Sequence, residues 1–253
     1  YKAIVTNGTC ASESSANVGK ITVDPISVGG TISGATTVCA TNNSTVLTLS
    51  GYVGSISWQS ATLSGTFGTI NGQTAATLTA SGLTASTRYR ALVKSGTCTS
   101  VLSDTATILV DLASLGGTVS GSKTVCTGTN STGLTLSGHT GSVVRWQSST
   151  TSDFSSDVTD ITNTGSTYTA TNLSATTYYR AEVKSGVCDA VYSNVATVTV
   201  SSQPTGGSVS GSKTICTGSN SGLLTLNGYS GGTVSKWQSS TTSNFASATD
   251  IAN

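Results

Sequence analysis

The chain repeats itself every 87 to 91 residues, and a repeat of that length is a folding unit. Gly29-Gly30-Thr31-Ile32-Ser33-Gly34 returns as Gly116-Gly117-Thr118-Val119-Ser120-Gly121 and again as Gly206-Gly207-Ser208-Val209-Ser210-Gly211. A first cysteine follows each time (Cys39, Cys126, Cys216), then a Trp-Gln pair (Trp58-Gln59, Trp146-Gln147, Trp237-Gln238). Tyr89-Arg90-Ala91 matches Tyr179-Arg180-Ala181 and the opening Tyr1-Lys2-Ala3, and a second cysteine closes each set at Cys10, Cys98 and Cys188.

The phase of these markers sets the organisation. Residues 1–25 read as the C-terminal part of one repeat, 26–112 and 113–202 as complete repeats, and 203–253 as the N-terminal part of a further one. A tyrosine inside a strand-like run is no natural start for a domain, so the sequence reads as a window on a longer tandem array. The linkers Asp24-Pro25-Ile26-Ser27-Val28 and Ser201-Ser202-Gln203-Pro204-Thr205 are short and hold both prolines of the chain, which makes them semi-stiff.

Within a repeat the signals are those of strands. Leu47-Thr48-Leu49, Leu134-Thr135-Leu136 and Leu224-Thr225-Leu226 alternate apolar and polar, as do Ala76-Thr77-Leu78-Thr79 and Val195-Ala196-Thr197-Val198-Thr199-Val200. Ser95-Gly96 and Ser185-Gly186 sit between strand-like runs, a hairpin signal. Charged residues make up only 8% of the chain, which excludes coiled coils and helical bundles. A net charge of +1 offers no sequence-independent grip on nucleic acid, and no apolar run is long enough for a membrane-spanning helix. Some seven short strands in under 90 residues predict an all-β fold: tandem immunoglobulin-like antiparallel β-sandwich modules forming an extended rod.

Each tryptophan lies 19 to 21 residues after its first cysteine. That fixed placement favours a structural core of Trp58, Trp146, Trp237, Tyr89 and Tyr179 between the sheets over a platform for stacking sugar rings. Two cysteines per period predict one disulfide per module and an oxidising compartment. Two connectivities fit the spacing. One pairs Cys39 with Cys98 and Cys126 with Cys188, leaving Cys10 and Cys216 to pair outside the chain; the other crosses each linker, joining Cys10 to Cys39, Cys98 to Cys126 and Cys188 to Cys216. The intramodular set is preferred, because modules set end to end would hold the linker pairs beyond the roughly 4.4–6.8 Å that a bridge allows between Cα atoms.

A single histidine and no Cys-x-x-Cys leave no basis for a metal or any other cofactor. His139 stands where other copies carry Tyr52 and Tyr229, which reads as loop surface, and no serine has a base nearby in a repeated pattern, so no enzyme is expected. Asp153, Asp157 and Asp160 share one loop, read as solvated rather than calcium-binding, because the matching stretch 63–70 has no acidic residue. Arg90, Arg180 and Lys2, with Lys94 and Lys184, form a modest basic stripe, read as a solubilising strand face rather than a contact for anionic polysaccharide.

Cys-Thr-Gly (126–128), Leu-Thr-Leu-Ser-Gly (134–138), Trp-Gln-Ser-Ser (146–149), Tyr-Tyr-Arg-Ala-Glu-Val-Lys-Ser-Gly-Val-Cys (178–188) and Ser-Asn-Val-Ala-Thr-Val-Thr-Val (193–200) together resemble the immunoglobulin-like repeats of Bacteroidota surface proteins. Those repeats occur in giant secreted adhesins, including the SprB-type gliding-motility adhesin exported by the type IX secretion system. The resemblance covers the whole chain and implies an extracellular, cell-surface location. It also implies O-glycosylation at Asp-Ser/Thr-small apolar tripeptides. Asp104-Thr105-Ala106 fits that pattern and nominates Thr105, whereas the other copies read Ser193-Asn194-Val195 and Ser15-Ala16-Asn17 and do not fit.

Two functions remain. The modules are the stalk of a long surface adhesin or filament, in gliding motility or surface attachment, or they are carbohydrate-binding accessory modules of a secreted polysaccharide-degrading protein. The stalk reading is favoured, since the only aromatics fixed in every copy are better explained by the core. Its expected partners are a surface polysaccharide or other adhesion ligand, met through parts of the array outside this sequence. The low charge leaves lateral self-association open without requiring it, and neither nucleic acid nor membrane insertion is involved.

Overall fold

The computed structural model describes residues 1–218 and 222–251, and these form strands, turns and loops without a helix. The chain makes two compact units: Tyr1–Ser114 together with Lys184–Ala190, and Leu115–Val183 together with Val191–Asn253.

In the first unit the repeat folds as a β-sandwich. One sheet orders the strands Thr31–Ser33, Ser44–Ser50 and Thr77–Ser81, all antiparallel. The other orders Thr37–Cys39, Ala106–Asp111, Thr87–Lys94, Ser55–Thr62 and Gly68–Thr69, with Val101–Leu102 also on Thr87–Lys94. Thr37–Cys39 runs parallel to Ala106–Asp111, while every other pairing in this sheet is antiparallel. This is an immunoglobulin-like arrangement, a three-stranded sheet facing a larger one across an apolar core. The second unit repeats it, with Thr118–Ser120, Ser131–Ser137 and Thr167–Thr171 in one sheet. Lys123–Cys126, Ala196–Ser201, Thr177–Lys184, Ser142–Ser149 and Thr159–Ile161 form the other, in which Lys184 is the residue where the long strand passes into the first unit.

Alternation decides which side chains enter the core. Leu47 and Leu49 are buried while Thr48 between them is exposed, and Leu134, Thr135 and Leu136 repeat the pattern. Trp58 and Trp146 are fully buried, with their indole Nε1 donating 2.9 Å hydrogen bonds to the carbonyls of Ala75 and Gly165. Trp58 lies opposite Ala91 in register, so a small residue makes room for the large ring. Trp237 is only half buried, in a strand paired with Thr249–Ile251.

Tyr179 packs 5.6 Å ring to ring from Tyr168, and burial, with Tyr168 adding to it, pushes its phenol up from 10 to about 12. Burial likewise raises Tyr89. The fold therefore favours the neutral phenol. Its stabilising contribution is complete below pH 10, where the unfolded tyrosine is also protonated, and is lost as pH rises towards 12. The urea midpoint of this sandwich should fall over that window by an amount equivalent to roughly 2–3 kcal/mol. Tyr179→Phe should flatten the dependence, whereas an equally steep fall in that variant would place the titration elsewhere.

The register corrects the disulfide assignment. Cys39 pairs with Asp111, three residues beyond Ile108, which faces Thr87, while Cys98 follows Lys94, seven residues further along the same strand. Ten steps at about 3.3 Å put Cys39 and Cys98 at opposite ends of the sheet, roughly 30 Å apart. Cys126 and Cys188 are separated in the same way, with Cys126 opposite Ser201 and Val198 facing Thr177. Neither intramodular bridge can form. The bridge that exists joins Cys39 to Cys188, with Cα atoms 4.9 Å apart, and Cys10, Cys98, Cys126 and Cys216 are free. Pairing across a linker, Cys98 to Cys126, is absent as well.

Candidate functional site

The sulfur chemistry sits where a hairpin tip meets a linker. Ser185-Gly186-Val187-Cys188 forms a tight turn closed by Cys188 N–H on the Ser185 carbonyl at 2.9 Å. The linker holds this turn by two hydrogen bonds and a close contact with the bridged sulfur. Val187 N–H donates to Asp111 Oδ2 at 2.9 Å, Ser185 N–H donates to Ser114 Oγ at 2.9 Å, and Cys188 Sγ lies 3.2 Å from the Leu112 carbonyl. Gly186 has φ of +48°, and a Cβ there would stand 1.9 Å from Asp111 Oδ2, so both backbone and carboxylate require glycine.

The first cysteine reaches the same aspartate from the other side. Thr37–Cys39 lies along Ala106–Asp111, and Ala40 N–H donates to the Asp111 carbonyl at 2.8 Å. Asn43 fixes the turn that follows, donating to the Cys39 and Leu83 carbonyls at 2.8 and 2.7 Å and accepting from Leu83 N–H at 2.8 Å. Asp111 thus uses its main chain to seat one cysteine and its carboxylate to seat the other. The result is a fixed covalent anchor.

The preceding linker makes the same half of this grip. Thr97 N–H donates to Asp24 Oδ2 at 3.0 Å, Ser95 N–H to Ser27 Oγ at 2.9 Å, and Cys98 Sγ lies 3.4 Å from the Pro25 carbonyl. Gly96 has φ of +50° and the same 1.9 Å closeness to Asp24. In the second unit Thr127 N–H donates to the Ser201 carbonyl at 2.9 Å, and Asn130 brackets Cys126 as Asn43 brackets Cys39. The repeated Asp24/Asp111 and Ser27/Ser114 mark these seats in the sequence, a signal that cysteine spacing does not carry. At the third linker Ser201 and Pro204 occupy those places.

The stripe Arg90 and Arg180 is not an open cationic face. Arg90 Nε donates to Gln59 Oε1 at 2.8 Å and its guanidinium stacks 3.9 Å from the Phe67 ring. Arg180 does the same with Gln147 at 2.9 Å, between Phe154 at 4.0 Å and Tyr192 at 3.7 Å. Such stacking ties the cations to the sheet surface. The aromatic partners were legible as a further repeat, eight or nine residues after each tryptophan at Phe67, Phe154 and Phe245. Lys2, Lys94 and Lys184 are exposed.

The three loop aspartates do not converge. Asp160 pairs with Arg145 at 2.8 Å and accepts from Gln147, Asp157 accepts from Thr150, and Asp153 accepts two hydrogen bonds from Ser155 that hold its carboxyl below the usual range. Among the described residues no group of three histidine, cysteine or carboxylate side chains is placed to hold a metal ion. His139 is half buried. Thr105 is exposed, and the neighbouring Asp104 carboxylate accepts from Ile32 N–H at 2.7 Å, a latch that Asn194 makes to Val119 in the second unit.

Fold and seats together define a class, tandem immunoglobulin-like sandwich modules with an extracellular type of disulfide. The chain belongs to the family described as Domain of unknown function (DUF8696), whose model matches residues 28–112, 115–202 and 205–253. Among solved structures it is similar to the chicken CNTN1 FN1-FN3 domains, at 17% identity over 72% of this chain and 70% of that one, with a TM-score of 0.34. It is also similar to a marsupial T cell receptor, at 14% identity over 72% of this chain and 77% of that one, with a TM-score of 0.47. No curated protein matches it.

Proposed function

We propose that these modules form the stalk of a long secreted cell-surface adhesin, of the kind represented by the SprB-type gliding adhesins of type IX secretion. The observation that carries this reading is the bond from Cys39 to Cys188, which fastens one repeat to the next independently of the linker. A binding module gains nothing from that bond, whereas a load-bearing array gains a second covalent path. Burial of Trp58 and Trp146, with Tyr89 and Tyr179 beside them, supports a scaffold over a sugar-stacking platform. The disulfide fits an oxidising compartment outside the cell, and among the described residues no helix is long and apolar enough to cross a membrane.

In this role a surface polysaccharide or other adhesion ligand is met elsewhere in the protein. Neighbouring stalks can lie side by side, since a net charge of +1 offers little repulsion. Small-angle scattering on the chain tests the proposal. An elongated particle is expected, and a compact, near-spherical one would return the carbohydrate-binding reading to first place.

A further inference from the structure

The two linkers that carry an aspartate hold their hairpin tips in the same way, yet only one tip is bonded. Asp24 with Ser27 seats Cys98, and Asp111 with Ser114 seats Cys188, through matching hydrogen bonds of 2.9 to 3.0 Å. Both sulfurs point at paired linker carbonyls, Cys98 at 3.8 and 3.4 Å and Cys188 at 3.7 and 3.2 Å. First cysteines are equally alike. Cys39 and Cys126 end strands parallel to the last strand of their own sandwich, opposite Asp111 and Ser201, and each is bracketed by an asparagine. Cys98 therefore has the surroundings of Cys188 without its partner, and Cys126 has those of Cys39.

We infer that Cys98 and Cys126 are open halves of one repeating junction, and that each accepts another copy of this module through a bond from the first cysteine of one repeat to the second cysteine of the next. The partner of Cys126 is a hairpin tip of the Ser-Gly-x-Cys type delivered by a following module. The partner of Cys98 is the cysteine that ends a strand lying parallel to the segment before Asp24. In an array, these bonds overlap, each enclosing a linker and most of the module on either side of it. The inference needs only the repeat and the seats, and it stands whether or not the array is a stalk.

Closing a junction is an oxidation. Two thiols give up two protons and two electrons as one S–S bond forms, and the electrons pass to a low-molecular-weight disulfide that is cleaved to two thiols. Intramodular pairing is closed to these cysteines by the roughly 30 Å along the sheet between Cys39 and Cys98, ten strand steps, and the like distance between Cys126 and Cys188.

The test is the full chain with a second copy of residues 111–200 inserted after Val200, which recreates the Asp111–Ser114 linker at the new boundary. In the inserted copy, Val187→Ile makes the second-cysteine peptide heavier by one methylene, at a side chain that is 53% exposed, and Thr129→Ser makes the first-cysteine peptide lighter by one methylene, at an exposed position, so each copy is told apart. The protein is refolded with glutathione disulfide and digested without reduction. The expected linkages are Cys39 to the lighter peptide of the original module, and Cys126 of the original module to the heavier peptide of the inserted copy. Linkage of the original module's Cys126 to the lighter peptide, or a free thiol at the original module's Cys126 beside an intact Cys39 bridge, would overturn the inference; the Cys126 of the inserted copy should stay free in either case. A companion insertion of residues 24–110 ahead of Asp24 examines the Cys98 half. There, with Thr41→Ser and Thr99→Ser marking the inserted copy at exposed positions, Cys98 of the original module should be linked to Cys39 of the inserted one, and a free thiol at the original Cys98 would count against the rule in the same way.

Discussion

Replacing Trp146 with alanine should destabilise its sandwich by roughly 3–5 kcal/mol, the range for large buried aromatics. Trp146 has no exposed surface, and it sits 5.9 Å from the Tyr168 ring, which in turn stacks on Tyr179. Removing the indole opens a cavity between two sheets whose backbones are fixed by their ladders, so little collapse can fill it. The Gly165 carbonyl also loses its Nε1–H donor at 2.9 Å. Trp58→Ala should behave alike in the first unit, whereas Trp237→Ala should cost much less, because that ring is only half buried. Urea midpoints of the three variants check the order. A near-neutral Trp146→Ala, combined with loss of binding to a sugar, would contradict a core role.

Stretched by its two ends, the oxidised chain should stop far short of its contour length. The Cys39–Cys188 bond encloses a sequence separation of 149, so about 104 of the 253 residues can extend (253 less 149). At about 3.4 Å per residue that is roughly 350 Å, against roughly 860 Å for the reduced chain. Unfolding either sandwich leaves the enclosed segment shut, because the bond and not the fold limits it. Single-molecule stretching with and without reductant reads the difference, about 500 Å, directly. Cys188→Ser should give the longer value without reductant. Equal extensions in both conditions would show that the bond carries no load.

The sheets were legible because their causes are local. Alternation in Leu47-Thr48-Leu49 and the fixed place of each tryptophan state which residues face inward, and the period states how often. The disulfide was not legible from spacing, because spacing says nothing about which end of a sheet a residue occupies. Cys39 and Cys98 look like natural partners within one repeat until register places them at opposite ends. That register depends on Thr37–Cys39 crossing from one sheet to lie parallel to the last strand of the other, a pairing of residues some 70 apart. The arginines of the basic stripe show a related limit. Arg90 and Arg180 alternate outward as an exposed strand face should, but the loop after the tryptophan lays Phe67 or Phe154 over them, and loop paths are not written in strand periodicity.

Mapping the disulfides of the unreduced 253-residue protein tests the account most directly. Oxidised, folded material should yield one linkage, Cys39 to Cys188, with Cys98 and Cys126 recovered as free thiols. Recovery of Cys39 linked to Cys98, or of Cys126 linked to Cys188, would contradict it by returning each bond to a single module.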